Sequence, residues 1–405
     1  MANLNTGAVE GRAPLNALTQ LLLPEIALPV LVAARLPFPV KAAASVVLLG
    51  SILRTFLTAT SGVVVNDYAI GSAVLGNTFF NILLFVWITD PMVEFRYLRD
   101  ADPSPLASRS FLARLYNSLR VIRNYRLIGW NTQIPSVPLP FKGTRTQFLY
   151  HRVKQFLWSF VLTDFTESYV YPFYHLYVPG STDPPLPTGF DGLLLRSWNA
   201  LVWLAMTYAI LKMYYEAASL LAVGLGLSRP EDWPDMFGNW SDAYTIRRLW
   251  GRTWHQNLRR HFSYWGKLVV RTLHIKRGTW LSSQTQVYTA FLLSALIHSF
   301  GDLMLGRQHF GRSFPFFLAN AMAITFEDAV IALGQSLGLG FGKEGPTRAV
   351  RLLGYAWVIF WVRYSAPMYV DWMFESGVVE NPVLTFSPTR TLVMPWLQHV
   401  LGSAS

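Results

Sequence analysis

Stretches of roughly 20 mostly apolar residues, the length a helix needs to cross a bilayer core, recur along this chain and decide what it can become. They lie at about 16–34, 42–60, 69–89, 155–178, 197–226, 284–305, 314–338 and 349–372, with a shorter apolar piece at about 390–402. Inside lipid every backbone polar group needs a partner within the protein, and a helix supplies one within the span itself. The pattern therefore predicts an all-α fold, a polytopic transmembrane helical bundle of about eight spans. Pro24 and Pro29 make the first span irregular. Charged residues are only 14% of the 405, against about 25% in soluble domains. Fifteen tryptophans and eighteen tyrosines supply interfacial anchors.

The net charge is +11. In a soluble chain that would point to nucleic acid. Between spans it points instead to cytosolic loops, anionic lipid or an anionic cosubstrate, and no nucleic-acid partner is expected. Most of the positive charge lies in two segments, about 91–154 and about 227–283. An even number of spans separates them, so they share one face, and the excess of Lys and Arg makes that face cytosolic. The Pro-rich connection at about 179–196 falls opposite. Arg307 and Arg312 depart from the rule. The chain divides into N-terminal spans (1–90), a basic amphipathic cytosolic segment (91–154) and a membrane domain (155–405) that includes the cytosolic or re-entrant segment 227–283. No basic cluster precedes an apolar core with a small-residue cleavage site, so the first span is expected to act as an uncleaved signal. The endoplasmic reticulum or another endomembrane is the expected location.

With no cysteine, disulfides, thiolate metal sites and cysteine nucleophiles are excluded. The other histidines show no metal-ligand spacing, so no metal is expected. One histidine, His298, falls deep in a span, where an ionisable side chain is costly and points to function. Ser294, His298 and Asp302 are four apart and share a helical face. Asp302 could then accept a hydrogen bond from one ring nitrogen and leave the other as a base. A neutral imidazole at cellular pH is what a general base requires, and the bland alternative is a buried histidine bonded to a neighbouring helix. Weaker motifs do not hold up. Gly334-Gln335-Ser336-Leu337-Gly338 matches G-x-S-x-G without a strand before it. Gly340-Phe341-Gly342-Lys343-Glu344-Gly345 matches G-x-G-x-x-G without a βαβ unit. The sequon Asn239-Trp240-Ser241 falls on the cytosolic face and is expected unmodified.

The densest polar and aromatic run is Trp233 to Trp265. Read as one helix from Ile246, it lays Trp250, Trp254, Leu258, Phe262, Trp265 and Val269 along one face. Arg248, Arg252, His255 and Arg259 lie on another, as a surface helix facing lipid headgroups would place them. That reading leaves His255, Gln256 and Asn257, in succession after Trp254, without a purpose.

Here the string Leu249-Trp250-Gly251-Arg252-Thr253-Trp254-His255-Gln256, preceded by Met236-Phe237-Gly238 and Trp240, resembles the signature of wax synthase-like membrane-bound O-acyltransferases. His298 fits the later membrane histidine of that pattern. Arg126-Leu127-Ile128-Gly129-Trp130-Asn131 looks like the R-x-x-G-W element of fungal members. The resemblance is good over about 120–305. Leu249 stands where an aromatic is common and Thr253 where a base is common.

The resemblance implies a wax synthase-like catalytic domain with an internal tunnel, and transfer of an acyl group from acyl-CoA to an alcohol. His298 would be the general base. His255, with Gln256, Asn257 and Trp254 nearby, would position the thioester or stabilise the oxyanion. Asp302 and Ser294 would orient the base. Arg247, Arg248, Arg252, Arg259 and Arg260 would hold the phosphates of coenzyme A. Short fungal proteins of this kind favour acetyl-CoA as cosubstrate and a terpenoid or meroterpenoid hydroxyl as acceptor. The alternatives are a long-chain wax ester synthase, a terpene cyclase or prenyltransferase, and a transporter.

Overall fold

The computed structural model describes residues 11–171, 189–339, 341–342, 345–378 and 382–396. Its main elements are the helices α1 (Ala17–Ala33), α2 (Phe38–Thr58), α3 (Val64–Ile88), α4 (Phe111–Arg123), α5 (Arg145–Val170), α6 (Gly189–Gly224), α7 (Arg259–Thr272), α8 (Trp280–Leu305), α9 (Phe314–Ser336), α10 (Arg348–Ser365) and α11 (Pro367–Glu375). The named strands among the described residues are two-residue pairs: Ala13–Pro14 with Ala59–Thr60, and Phe341–Gly342 with Gly345–Pro346. The fold is helical, as the apolar runs require.

Among the described residues five helices are long and apolar enough to cross a membrane: α2, α3, α6, α8 and the run Arg307–Ser336 that contains α9. The others fall short for local reasons. Helix α1 is apolar but shorter. The stretch 155–178 is helical to Val170 within α5, where Asp164 and Glu167 interrupt the apolar run, and 172–178 lies outside the described residues. The stretch 349–372 breaks at Ala366 and Pro367 into α10 and α11, and α10 carries Arg348, Arg351 and Arg363. The piece at 390–402 is described only to Trp396. Gly334 to Ser336 close α9 as ordinary helix, while Gly340, Lys343 and Glu344 are outside the described residues.

The described residues fall into two compact units, one within Met1–Val137 and Trp240–Leu353, the other within Pro138–Asn239 and Gly354–Ser405. These boundaries cut across the three segments drawn from sequence. In the second unit α5 packs along α6. Helix α5 starts at a capping box: Thr144 Oγ1 accepts from the Gln147 amide at 3.2 Å, and Gln147 Oε1 accepts from the Thr144 amide at 2.9 Å. Buried Arg152 donates to Glu216 at 2.9 Å, and Lys212 donates to the same carboxylate at 2.6 Å. A charge buried this far is tolerable only when paired.

The first unit carries His255, His261 and His298. Helix α8 begins at Thr279, whose hydroxyl accepts from the Ser282 amide at 3.2 Å, and it ends at Gly306 with φ +151°. It meets α3 backbone to backbone. A Cβ on Gly71 would lie 2.4 Å from the Phe300 carbonyl oxygen, and one on Gly301 would lie 2.8 Å from the Tyr68 ring. Only glycine permits that approach. Around it Phe300 stacks on Phe56 at 4.8 Å and meets Phe79 at 5.1 Å. Helices α7 and α9 also pack on α8.

Candidate functional site

His298 sits on α8 between the Gly301 crossing and the helix middle. Its Nδ1 lies 2.8 Å from the Ser294 carbonyl oxygen. A carbonyl only accepts, so Nδ1 carries the proton and Nε2 carries the lone pair. The tautomer is therefore set by a backbone carbonyl one turn earlier. Asp302 does not do it. Its carboxylate accepts from the Ser313 amide at 2.9 Å and the Ser313 hydroxyl at 2.7 Å, which closes the turn from α8 into α9. Ser294 contributes its backbone carbonyl and not the side chain that helical spacing places on the His298 face.

The helix expected from Ile246 onward is interrupted. Ile246–Arg248 is a short α-turn, Leu249–Thr253 is a π-turn, and the chain is extended at Trp254 (φ −66°, ψ 155°) before α7 starts at Arg259. The π-turn is closed by the Trp254 amide reaching back to the Leu249 carbonyl at 2.7 Å. Such wide turns recur at functional sites because they turn side chains out of the regular register. Gln256 holds this one: Nε2 donates to the Trp250 carbonyl at 3.1 Å and the Trp254 carbonyl at 2.6 Å. Both amide hydrogens are then spent, so Gln256 has none for an oxyanion. The amide of Asn257 makes no hydrogen bond among the described residues.

Aromatic rings link the two histidines. His255 lies 5.7 Å from Trp254, Trp254 lies 5.8 Å from Trp250, and Trp250 lies 6.0 Å from Phe316. Phe316 is 5.1 Å from Phe317, and Phe317 lies 4.6 Å from the His298 ring. Trp250 Nε1 donates to Asn320 Oδ1 on α9 at 3.0 Å. The π-turn and the middle of α8 thus share one apolar wall, supplied by α9. Enclosure in protein pushes the His255 pKa down to about 3, and the proximity of His298, whose protonation would add a like charge, and the Arg126 guanidinium push in the same direction.

The arginines separate into three kinds. Arg247 pairs with Asp328, its Nε 2.9 Å from Oδ1, and Arg248 pairs with Asp242. Arg260 is buried, contrary to its expected place among the phosphate-binding cations. Its guanidinium donates to the Val121 carbonyl at 2.8 Å and to the carbonyls of Ile122 and Asn124. These are the last carbonyls of α4, which a cation satisfies. Arg252 is exposed, and Arg259 reaches over Gly251. Neither has an ion pair among the described residues.

Three features escaped the sequence reading as parts of a site. Arg126 is buried in a tight turn, where Leu127 and Gly129 take φ +53° and +78°, and its charge is felt at His255. The R-x-x-G-W element was the signal for it. His261 is fully buried, with Nε2 3.3 Å from Asn77 Oδ1. Asn320 and Phe317 lie in an apolar run, and only contact with Trp250 and His298 singles them out.

Burial also lowers the His261 pKa well below 6.5. An unfolded chain would therefore protonate both His255 and His261 first as pH falls. Stability is full above about pH 7 and is lost below about 6.5, by up to about 1.4 kcal/mol per pH unit for each histidine. Thermal unfolding of the detergent-solubilised protein should show a lower midpoint at pH 5.5 than at pH 7.5. An equal or higher midpoint at pH 5.5 would contradict neutral burial.

A family model described as membrane bound O-acyl transferase matches residues 233–319. The chain is 31% identical over 327 residues to the acetyltransferase ple2 of Rhodocybe pseudopiperita, covering 78% of this chain and 81% of that protein. It is 33% identical over 288 residues to the acetyltransferase eriL of Hericium erinaceus, covering 69% and 71%. It is 31% identical over 272 residues to the acetyltransferase sirH of Emericella nidulans, covering 66% and 62%. No solved structure matches the chain.

Proposed function

Because this chain belongs to the membrane-bound O-acyltransferase family and is an acyltransferase, we propose that it moves an acetyl group from acetyl-CoA to a lipophilic alcohol. The acceptor we assign is a terpenoid or meroterpenoid hydroxyl of fungal secondary metabolism. The observation that carries this reading is the ring-lined wall joining His255 to His298. Its rings, set edge to face and tilted to one another, would give a polycyclic acceptor an apolar surface beside a nitrogen able to take its hydroxyl proton.

In the proposed step His298 Nε2 removes the proton as the alcohol oxygen attacks the thioester carbonyl carbon. The carbonyl electrons move onto oxygen, and the groups we assign to that charge are the Asn257 amide and His255. The oxygen then expels the thiolate. The C–S bond breaks, the imidazolium returns its proton to sulfur, and ester and free CoA leave. His298 ends as it began. Water must be kept out, since it would compete as acceptor, and the apolar rings serve that end. Arg252 and Arg259, which have no carboxylate partner among the described residues, are the better assignments for the CoA phosphates. Arg247 and Arg248 are committed to Asp328 and Asp242.

The test uses membranes from a host expressing the full chain. One arm supplies labelled acetyl-CoA with a mixed terpenoid extract, the other labelled palmitoyl-CoA with a long-chain alcohol. Labelled ester in the first arm is the expected result. Ester only in the second would transfer the assignment to wax ester synthesis, and ester in neither would sink acyl transfer to these acceptors.

A further inference from the structure

Helix α9 meets the π-turn at more than one height. The buried side chains of Phe316, Asn320, Ile324 and Glu327 recur at steps of four, four and three, which puts them on one face. Phe316 and Asn320 meet Trp250. Two turns further along, the Glu327 carboxylate accepts from the backbone amides of Ile246 at 2.6 Å and Arg247 at 3.1 Å. Those are amides at the start of the short helical turn that leads into Leu249–Thr253. The next residue, Asp328, binds Arg247 through Nε and also accepts from Gln284 Nε2 on α8 at 2.7 Å. Gln284 Oε1 in turn accepts from Thr325 at 3.0 Å. Phe317, beside Phe316, lies against His298.

A carboxylate is costly to bury in an otherwise apolar helix and is kept for a reason. We propose that Glu327 is a positioning residue for acyl transfer: it fixes the turn that carries Trp250, Trp254 and His255 in register with His298, using α9 as the common ruler. Asp328 extends the same anchor to α8. Glu327 lies outside the residues matched by the family model, and it touches no reacting atom in the proposed step. This inference rests on the acyltransferase site described above.

The experiment compares the full-length parent with Glu327→Gln, which keeps the shape but removes the charge and turns an N–H donor toward one of the two amides. Turnover is measured with acetyl-CoA and the accepted alcohol, and backbone hydrogen exchange is followed by mass spectrometry. The expected result is a fall in kcat of about 10- to 100-fold, the scale of a small misplacement of reacting groups. KM for acetyl-CoA should stay within about 3-fold, since Arg252 and Arg259 are untouched. Exchange should accelerate over 246–256 while α3 and α8 remain protected. An unchanged kcat would overturn the proposal. So would a lost kcat with faster exchange throughout the unit, which would mark a purely structural role, or with unchanged exchange over 246–256. Should Glu327→Gln fail to accumulate, Glu327→Asp keeps the charge but pulls it back by one methylene, and the same readings apply. A parent chain without turnover would sink the function proposed above, and the exchange comparison would still decide whether Glu327 holds the turn.

Discussion

Replacing His298 by alanine is expected to lower the rate of acyl transfer by about 10²–10⁴-fold, the range a positioned general base contributes. The protein should still insert and accumulate. The imidazole bonds the Ser294 carbonyl of its own helix at 2.8 Å, and that carbonyl keeps its place in the α8 backbone ladder when the ring is gone. Asp302, one turn on, is engaged by Ser313, so removing the ring leaves no carboxylate without its partners there. The effect should fall on kcat with KM for acetyl-CoA little changed, because the base acts on the alcohol as the transition state forms. Rates per mole of folded protein in membranes check this. A variant that retains parental turnover would remove His298 from the mechanism.

The second large effect concerns the crossing that sets where α8 lies. Replacing Gly71 by alanine places a methyl group 2.4 Å from the Phe300 carbonyl oxygen and 2.8 Å from the Gly301 Cα. These are backbone atoms and cannot rotate away. The two helices must separate, and with them the contacts of Phe300 to Phe56 and Phe79. Overpacking of this kind costs about 3 kcal/mol or more when the obstacle cannot move. The variant should accumulate poorly, and its thermal midpoint in detergent should fall by several degrees, roughly what such a loss produces in a chain of this size. Gly50, within α2, whose Cβ would meet nothing, is the control: Gly50→Ala should leave the midpoint unchanged or raise it slightly. A Gly71→Ala protein as stable as the parent would mean that α3 and α8 do not meet as described.

How much of this was legible in the residues can be traced position by position. The helical class followed from the apolar runs, since lipid leaves the backbone few other choices. His298 followed from its depth in such a run, and the Trp250 to His255 string from its family resemblance. The partners did not follow. Spacing put Asp302 on the His298 face, yet α8 ends three residues later and Asp302 turns to Ser313, eleven residues on. Periodicity carried the Ile246 helix straight through Trp254, because a π-turn followed by an extended residue leaves no mark in hydrophobic spacing. Arg260 counted as one more loop cation, although the carbonyls that end α4 claim it. Adjacent acids at Glu327 and Asp328 within an apolar helix were a signal in plain sight, and the sequence alone could not say which turn they held.

The central claim is that the His298 imidazole takes the hydroxyl proton while an acetyl group passes from CoA to an alcohol in a place that water does not reach. The most direct measurement is the ratio of ester formed to CoA released by membranes containing the full chain, with and without the accepted alcohol. The account predicts one ester for each CoA, and no CoA release above background when the alcohol is left out. Steady CoA release without alcohol, or ester formation that survives unchanged in His298→Ala, would contradict it.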